Sequence, residues 1–280
     1  MSAPVKPAKP GNTRVTGKEQ FYTPAQTALW VVDQVLAALP DTRTRTWLEP
    51  SAGTGSFIDA LAIRGLTDVV GVDIEPHHDE VVRANFLEWT NSQTEMVAVG
   101  NPPFGRNNAL SIPFFNHAAT MCDVIAFIVP RSWRKWSVTN RLDRSFHVVL
   151  DHDLSINYVN VTGDDVYAKN SLQTCLQIWK KSTTLRDVVK VPDSIYVNKS
   201  TPQDADIAMR VFGYGCGTVL TEFPRVPNTT MMYLKLLEPR ALDALREIDF
   251  APYYTNVAYT PALAFSEIRF ALDQYFATYS

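Results

Sequence analysis

The chain of 280 residues is long enough for one large domain, or for a domain of roughly 200 residues with a smaller appendage. Its 46% apolar and 20% charged content is that of a soluble globular protein, and it holds no uninterrupted apolar run of about 18 residues that would read as a membrane span. A net charge of −3 excludes a generally basic nucleic-acid binder, so any polynucleotide contact has to come from a local cluster of cations.

Residues 1–18 are rich in Pro, Lys, Thr and Gly and almost free of large apolar side chains, which predicts a flexible, mildly basic tail. The start lacks the apolar centre of a secretion signal, so a cytoplasmic protein is expected. Cys122, Cys175 and Cys216 are odd in number and far apart, and read as buried free thiols of a reducing compartment. Neither a Cys-x-x-Cys pair nor a His-Glu-x-x-His run is present, and no metal is expected.

The first predicted element is a helix after Phe21-Tyr22-Thr23-Pro24. Thr23 suits the N-cap and Pro24 the first helical position, and Ala25, Ala28, Leu29, Val32, Val35, Leu36 and Leu39 recur at helical spacing until Pro40. Taken alone, this is a capped amphipathic helix.

Trp47-Leu48-Glu49-Pro50-Ser51-Ala52-Gly53-Thr54-Gly55-Ser56-Phe57 reads as strand, glycine turn and helix. Gly53 and Gly55 permit positive φ and let a ligand approach the backbone. A dinucleotide-binding turn would need a third glycine where Ile58 stands, and the Gly-Lys-Ser/Thr of a triphosphate loop is missing. A carboxylate at Glu49 suits a cationic ligand better than a pyrophosphate.

The next strand, Asp68 to Ile74, closes on Asp73, about one strand-helix-strand step past Gly53. That offset places Asp73 where it can accept the two hydroxyls of a ribose, with Ile74 against the base. Val81 to Trp89 continues the pattern through Asn85 and Phe86.

The apolar run Met96-Val97-Ala98-Val99-Gly100 feeds Asn101-Pro102-Pro103-Phe104 and then a polar turn containing Arg106. Each proline fixes φ and removes an N–H, so the tip exposes carbonyls on a stiff backbone. Asn101 adds a side-chain acceptor and Phe104 a flat apolar face. Two acceptors and a ring are the inventory for gripping a planar group that carries an amine. A helix is predicted from Ala109 to Met121, interrupted near Pro113, and then a strand from Asp123 to Pro130 buried on both faces.

These stretches resemble S-adenosylmethionine-dependent amino-methyltransferases, most closely the DNA adenine-N6 enzymes with the gamma order of motifs. The resemblance rests on Phe-Tyr-Thr-Pro, Glu-Pro-Ser-Ala-Gly-Thr-Gly and Asn-Pro-Pro-Phe in that order and covers roughly residues 20 to 180. It implies S-adenosyl-L-methionine as cofactor, held by Phe21, Tyr22, Thr23, Pro24, Glu49, Pro50, Ser51, Gly53, Gly55, Asp73, Ile74, Asn85, Phe86 and Asn101. It implies catalysis by Asn101, Pro102, Pro103 and Phe104. Asn85 departs from the family, which usually has Asp there; its carbonyl would accept from the cofactor's adenine amine without charge assistance.

The implied fold class is α/β: a Rossmann-like methyltransferase with a mostly parallel, doubly wound sheet closed by a β-hairpin over residues 146–179, and a small C-terminal appendage. The implied organisation is a tail at 1–18, a catalytic domain at 19–181 and a small α+β region at 182–280 of possible target recognition. DNA is the expected partner. RNA is the alternative, and a protein-glutamine methyltransferase or a non-catalytic binding module the further ones. Arg131, Trp133, Arg134 and Lys135 interleave cations with aromatics in the manner of a polynucleotide contact, and a solvated helix face with two Trp anchoring it to the core is the other reading. Tyr167 and Lys169 lie in the loop before the last strand, which in the family helps to wall the target-base pocket.

Overall fold

The structure, a computed structural model, describes residues 21–165 and 172–279. The expected tail and the loop residues Tyr167 and Lys169 therefore lie outside the described residues. The fold is α/β and Rossmann-like, and the described residues form two compact units: 21–122 with 156–165, and 123–155 with 172–279.

The first unit begins with helix α1 (Ala25–Ala38), whose Ala28, Val31, Val32, Val35 and Leu36 are buried. They are the one face that a 3.6-residue period delivers. The N-cap is Pro24, one residue later than the expected Thr23, because the N–H groups of Thr27 and Ala28 both close on the Pro24 carbonyl. A short 3-10 turn at Pro40–Thr44 ends the element.

Strand β1 (Trp47–Glu49) leads through the glycine turn to α2 (Ser56–Ile63). Then follow β2 (Val69–Asp73), β3 (Val81–Arg83) and β4 (Met96–Gly100). These four strands pair in parallel, in the order β3-β2-β1-β4. The two central strands β1 and β4 are buried at every residue, which is why their sequences are apolar runs rather than alternations. The Arg64 guanidinium, just past α2, pairs in a fork with Asp33 of α1 at 2.6 and 2.7 Å.

Residues 74–80 join the parallel strands β2 and β3 without a helix, an unusually short route for a parallel connection. After β4, helix α3 spans Ser111–Ala118. Pro113 is its third residue, where the backbone N–H has no intrahelical acceptor in any case. The helix therefore runs through that position, in contrast to the expected interruption.

The second unit holds β5 (Cys122–Pro130), the four-residue helix α4 (Trp136–Thr139), β6 (Phe146–Leu154) and β7 (Thr174–Lys181). Here the order is β5-β7-β6, with both pairings antiparallel, so the expected hairpin is present. Beyond it, β8 (Val197–Lys199), β9 (Ile207–Arg210), β10 (Val219–Leu220) and β11 (Met231–Leu236) form an antiparallel sheet of order β10-β9-β11-β8.

Helices α5 (Ala241–Glu247), α6 (Ala251–Tyr254) and α7 (Phe265–Tyr279) complete the chain's described part. Met209, Leu234, Leu245, Ile268 and Leu272 share one core with Val197 and Ile207. The expected boundary at 181/182 falls inside this unit. Gln173, just before β7, donates its N–H to the Ala258 carbonyl at 2.7 Å, and Lys135 pairs with Glu267 of α7 at 2.8 Å. The hairpin strands are thus tied to the C-terminal layer.

Candidate active site

A cavity of about 890 Å³ lies at the carboxyl ends of β1 to β4, lined wholly by residues of the first unit. The floor is the glycine turn. Gly53 has φ +50°, and a Cβ there would stand 2.7 Å from the Tyr22 ring, so only glycine fits beneath that tyrosine. The Gly53 N–H donates to Asp73 Oδ2 at 2.8 Å and its carbonyl accepts from His77 N–H at 2.9 Å. Asp73 Oδ1 accepts from Glu75 N–H at 2.7 Å. The acid that ends β2 therefore ties the turn to the strand end while facing the cavity.

The wall opposite β3 is the tip after β4. Asn101, Pro102, Pro103 and Phe104 all line the cavity. The Asn101 Nδ2 donates to the Phe21 carbonyl at 2.9 Å, which fixes the amide's orientation and leaves Oδ1 as the other end. That oxygen is buried and has no hydrogen-bond partner. A buried unpaired acceptor costs about 1 to 3 kcal/mol, and such groups gather where a ligand completes them.

The tip is held on both sides. Ser51 Oγ donates to the Asn101 carbonyl at 3.2 Å, and Tyr22 exchanges both backbone hydrogen bonds with Val159 at 3.1 Å. The Phe104 carbonyl accepts from Leu110 and Ser111. Gly105, at φ +67°, sits where a Cβ would meet Leu110 N at 2.8 Å. Asn107 and Asn108 then both take positive φ, 55° and 60°, a conformation that asparagine tolerates better than most side chains.

Of the residues expected at the cofactor, Phe21, Tyr22, Pro50, Ser51, Gly53, Asp73, Ile74, Asn85, Phe86 and Asn101 line the one cavity; Thr23, Pro24, Glu49 and Gly55 do not. Glu49 lies behind the wall, 2% exposed, with Oε2 unpartnered. Burial holds its carboxyl well above the ordinary range, opposed by the Ile58 N–H and reinforced by the charges of Asp73 and Asp59. Ile74 is 71% exposed, a large apolar side chain left open at the cavity.

Asn85 has a local partner as well as a place in the cavity lining. Its Oδ1 already accepts the Leu87 N–H at 3.2 Å and caps the 3-10 turn Phe86–Glu88. Phe86 is 2% exposed, packed edge-on by His117 and flanked by Phe114 and Trp89. Glu75, Arg83, Leu87, Gly105, Leu110 and Phe114 also line the cavity. Leu110 and Phe114 stand one helical turn apart beside the tip, a signal the i, i+4 spacing carried; Glu75 and Arg83 carry no motif and were not legible.

The expected polynucleotide cluster lies in the second unit. Trp133 is fully buried, so its ring is core and offers no face to a base, a correction to the stacking role. Arg131 pairs with Asp153 at 2.9 Å, and Arg134 pairs with Asp151 and with Asp153, the latter at 2.7 Å. Lys135 is paired with the buried Glu267. These cations are neutralised within the protein. Arg106 is exposed beside the tip but does not line the cavity. Among the described residues no group of three His, Cys, Asp or Glu side chains could hold a metal ion, and no helix is long and apolar enough to cross a membrane.

No protein-family model matches the chain. The type II methyltransferase M.HincII of Haemophilus influenzae is 28% identical over 95 residues, covering 33% of this chain and 18% of the relative. The type II methyltransferase M.CvrRI of Paramecium bursaria Chlorella virus XZ-6E is 30% identical over 94 residues, covering 30% of this chain and 24% of the relative. Among solved structures, a type I restriction-modification methyltransferase subunit from Streptococcus thermophilus aligns at a TM-score of 0.42 with 17% identity, over 59% of this chain and 46% of that one. The chain thus spans less than a quarter of the length of these two sequence relatives, and over about a third of its own length it is similar to type II methyltransferases.

Proposed function

We propose that the protein transfers a methyl group from S-adenosylmethionine to the exocyclic N6 of adenine in DNA. The observation that carries this reading is the buried, unpaired Asn101 Oδ1 at the rim of a cavity whose other walls are the glycine turn and Asp73. When bound, the cofactor supplies an electrophilic methyl on a positively charged sulfur. The residues present fit such a group: bare backbone at Gly53, a carboxylate at the end of β2, and the open apolar side chain of Ile74.

The chain's own part is positioning. The Phe21 carbonyl holds the Asn101 amide so that its oxygen faces an incoming amine. No described donor pairs with the Pro102 carbonyl, which supplies the second acceptor. Two acceptors on the two hydrogens of an aromatic amine draw the nitrogen toward tetrahedral geometry, and its lone pair becomes available for attack. Transfer would form the N–C bond at the expense of the cofactor's S–C bond, and the amine proton would leave afterwards to solvent, so no buried base is required. The gain is orientation and charge placement. In a duplex the base must first leave the stack at a cost of a few kcal/mol, and the Phe104 ring at the cavity offers replacement stacking.

DNA is proposed as the carrier on the gamma order of the motifs and on the similarity to type II methyltransferases. Residues 182–280 are proposed to contribute to target recognition. The test is transfer of tritiated methyl from S-adenosylmethionine to duplex DNA, ribosomal RNA and a glutamine peptide in parallel. Label in DNA supports the reading, label in RNA alone moves it to an RNA adenine enzyme, and label in peptide alone ends it.

A further inference from the structure

The two asparagines that line the cavity have opposite ends of their amides engaged. Asn101 stands at the end of β4 and Asn85 just past β3, three strand spacings away in the order β3-β2-β1-β4, which is roughly 14 Å. At the β4 end, Nδ2 of Asn101 is consumed by the Phe21 carbonyl and the acceptor Oδ1 is left over. At the β3 end the arrangement is reversed. Asn85 Oδ1 accepts the Leu87 N–H, and a backbone N–H can be served only by the oxygen of an amide, so the orientation is determined. No described acceptor pairs with Asn85 Nδ2. Arg83, two residues earlier and also lining the cavity, is a second donor-only side chain, one of whose N–H groups goes to the Ile74 carbonyl at 3.5 Å.

An adenine ring carries one exocyclic donor group and three ring-nitrogen acceptors. A free amide N–H matches the ring-nitrogen acceptors; a free amide oxygen matches the amine. We infer that Asn85, through Nδ2, makes the β3 end of the cavity recognise the cofactor's purine by a ring nitrogen, and that its amine is left unread. This rests on the cofactor reading above and deepens it. The same cavity would then separate two adenines by polarity, taking the one to be methylated by its amine and the one belonging to the cofactor by its ring edge.

The probe set is S-adenosylhomocysteine and its 1-deaza, 3-deaza and 7-deaza analogues, each replacing one ring nitrogen by C–H. Their affinities are measured by titration calorimetry against the wild-type protein and Asn85→Asp. The variant retains an oxygen for Leu87 and loses the donor, and thermal melts confirm that it is folded. On the wild type, one analogue is expected to bind at least about tenfold more weakly than the parent, the loss of one buried hydrogen bond. On Asn85→Asp that ratio is expected to fall below about threefold, whatever the absolute affinity. Equal ratios in the two proteins, or no analogue distinguished by either, overturn the assignment of Asn85 while leaving the cofactor reading standing. A folded wild-type protein that binds none of the four ligands overturns both.

Discussion

Glu49 carries the sharpest consequence at the scale of single residues. Its carboxyl is buried, half unpartnered and held above the ordinary value of 4.5. The folded chain therefore keeps that proton at pH values where the unfolded chain has lost it. Stability from this group is greatest at low pH and declines as pH rises above about 4.5, levelling once the folded carboxyl has also ionised. Chemical denaturation across the acid to alkaline range should show that decline, and Glu49→Gln should flatten it; an unchanged slope in the variant would mean that another group sets it. Gly105 gives a second outcome. Adding a Cβ at φ +67° meets the backbone nitrogen of Leu110, which cannot swing aside, so Gly105→Ala should lower stability by at least about 1 to 2 kcal/mol, read as a drop in melting temperature. A neutral substitution would show that the tip is looser than its hydrogen bonds suggest.

Among the elements, the contrast lies between what local pattern encodes and what distant partners decide. Helix α1, the buried strands β1 and β4, the glycine turn and the stiff tip are legible because each is written in a contiguous run: a helical period, an apolar run, Gly-x-Gly, Asn-Pro-Pro. The fate of Arg131 to Lys135 is not. Their carboxylate partners, Asp151, Asp153 and Glu267, lie 17 to 132 residues away in sequence, and no local rule ties a cation to them. Trp133 reads the same whether its ring meets a base or a core. Asn85 is a subtler case: its type and place are visible, whereas the direction of its amide depends on the Leu87 N–H.

The Lys135–Glu267 pair should behave as a buried clamp between the turn after β5 and the first turn of α7. Glu267 is 3% exposed and also accepts the Ala264 N–H at 2.7 Å. Removing one partner strands the other charge, at a cost of about 3 to 5 kcal/mol. Lys135→Met is expected to destabilise on that scale in denaturant titrations, and Lys135→Met with Glu267→Leu to recover much of the loss. Recovery absent from the double variant, together with a flattened salt dependence of DNA binding in the single one, would return Lys135 to the phosphate-contacting role that its sequence suggests.

For the molecule as a whole, the charge balance and the architecture act together. The net charge of −3 is joined by the internal pairing of Arg131, Arg134 and Lys135, the cations that the sequence sets among aromatics. Polynucleotide affinity should therefore fall only gently with salt, with a log–log slope well short of the steep values, about −10, of extended phosphate binders. Filter binding across a salt series measures it directly, and a steep slope would reveal a basic surface not accounted for above. The fold class was readable from the strands and helical periods together with the family resemblance of the motifs. The C-terminal sheet and its helices were readable only as a small α+β region, since a small antiparallel layer has no motif of its own.

The central claim is that a strand-end amide oxygen, freed by one backbone carbonyl, seizes an adenine amine. Nucleoside digestion and mass spectrometry of duplex DNA incubated with the protein and S-adenosylmethionine should reveal N6-methyladenine, lost with Asn101→Ala by at least about a hundredfold while S-adenosylhomocysteine affinity stays within about threefold. Methylation at a ring carbon, or undiminished N6-methyladenine from the Asn101→Ala protein, would contradict it.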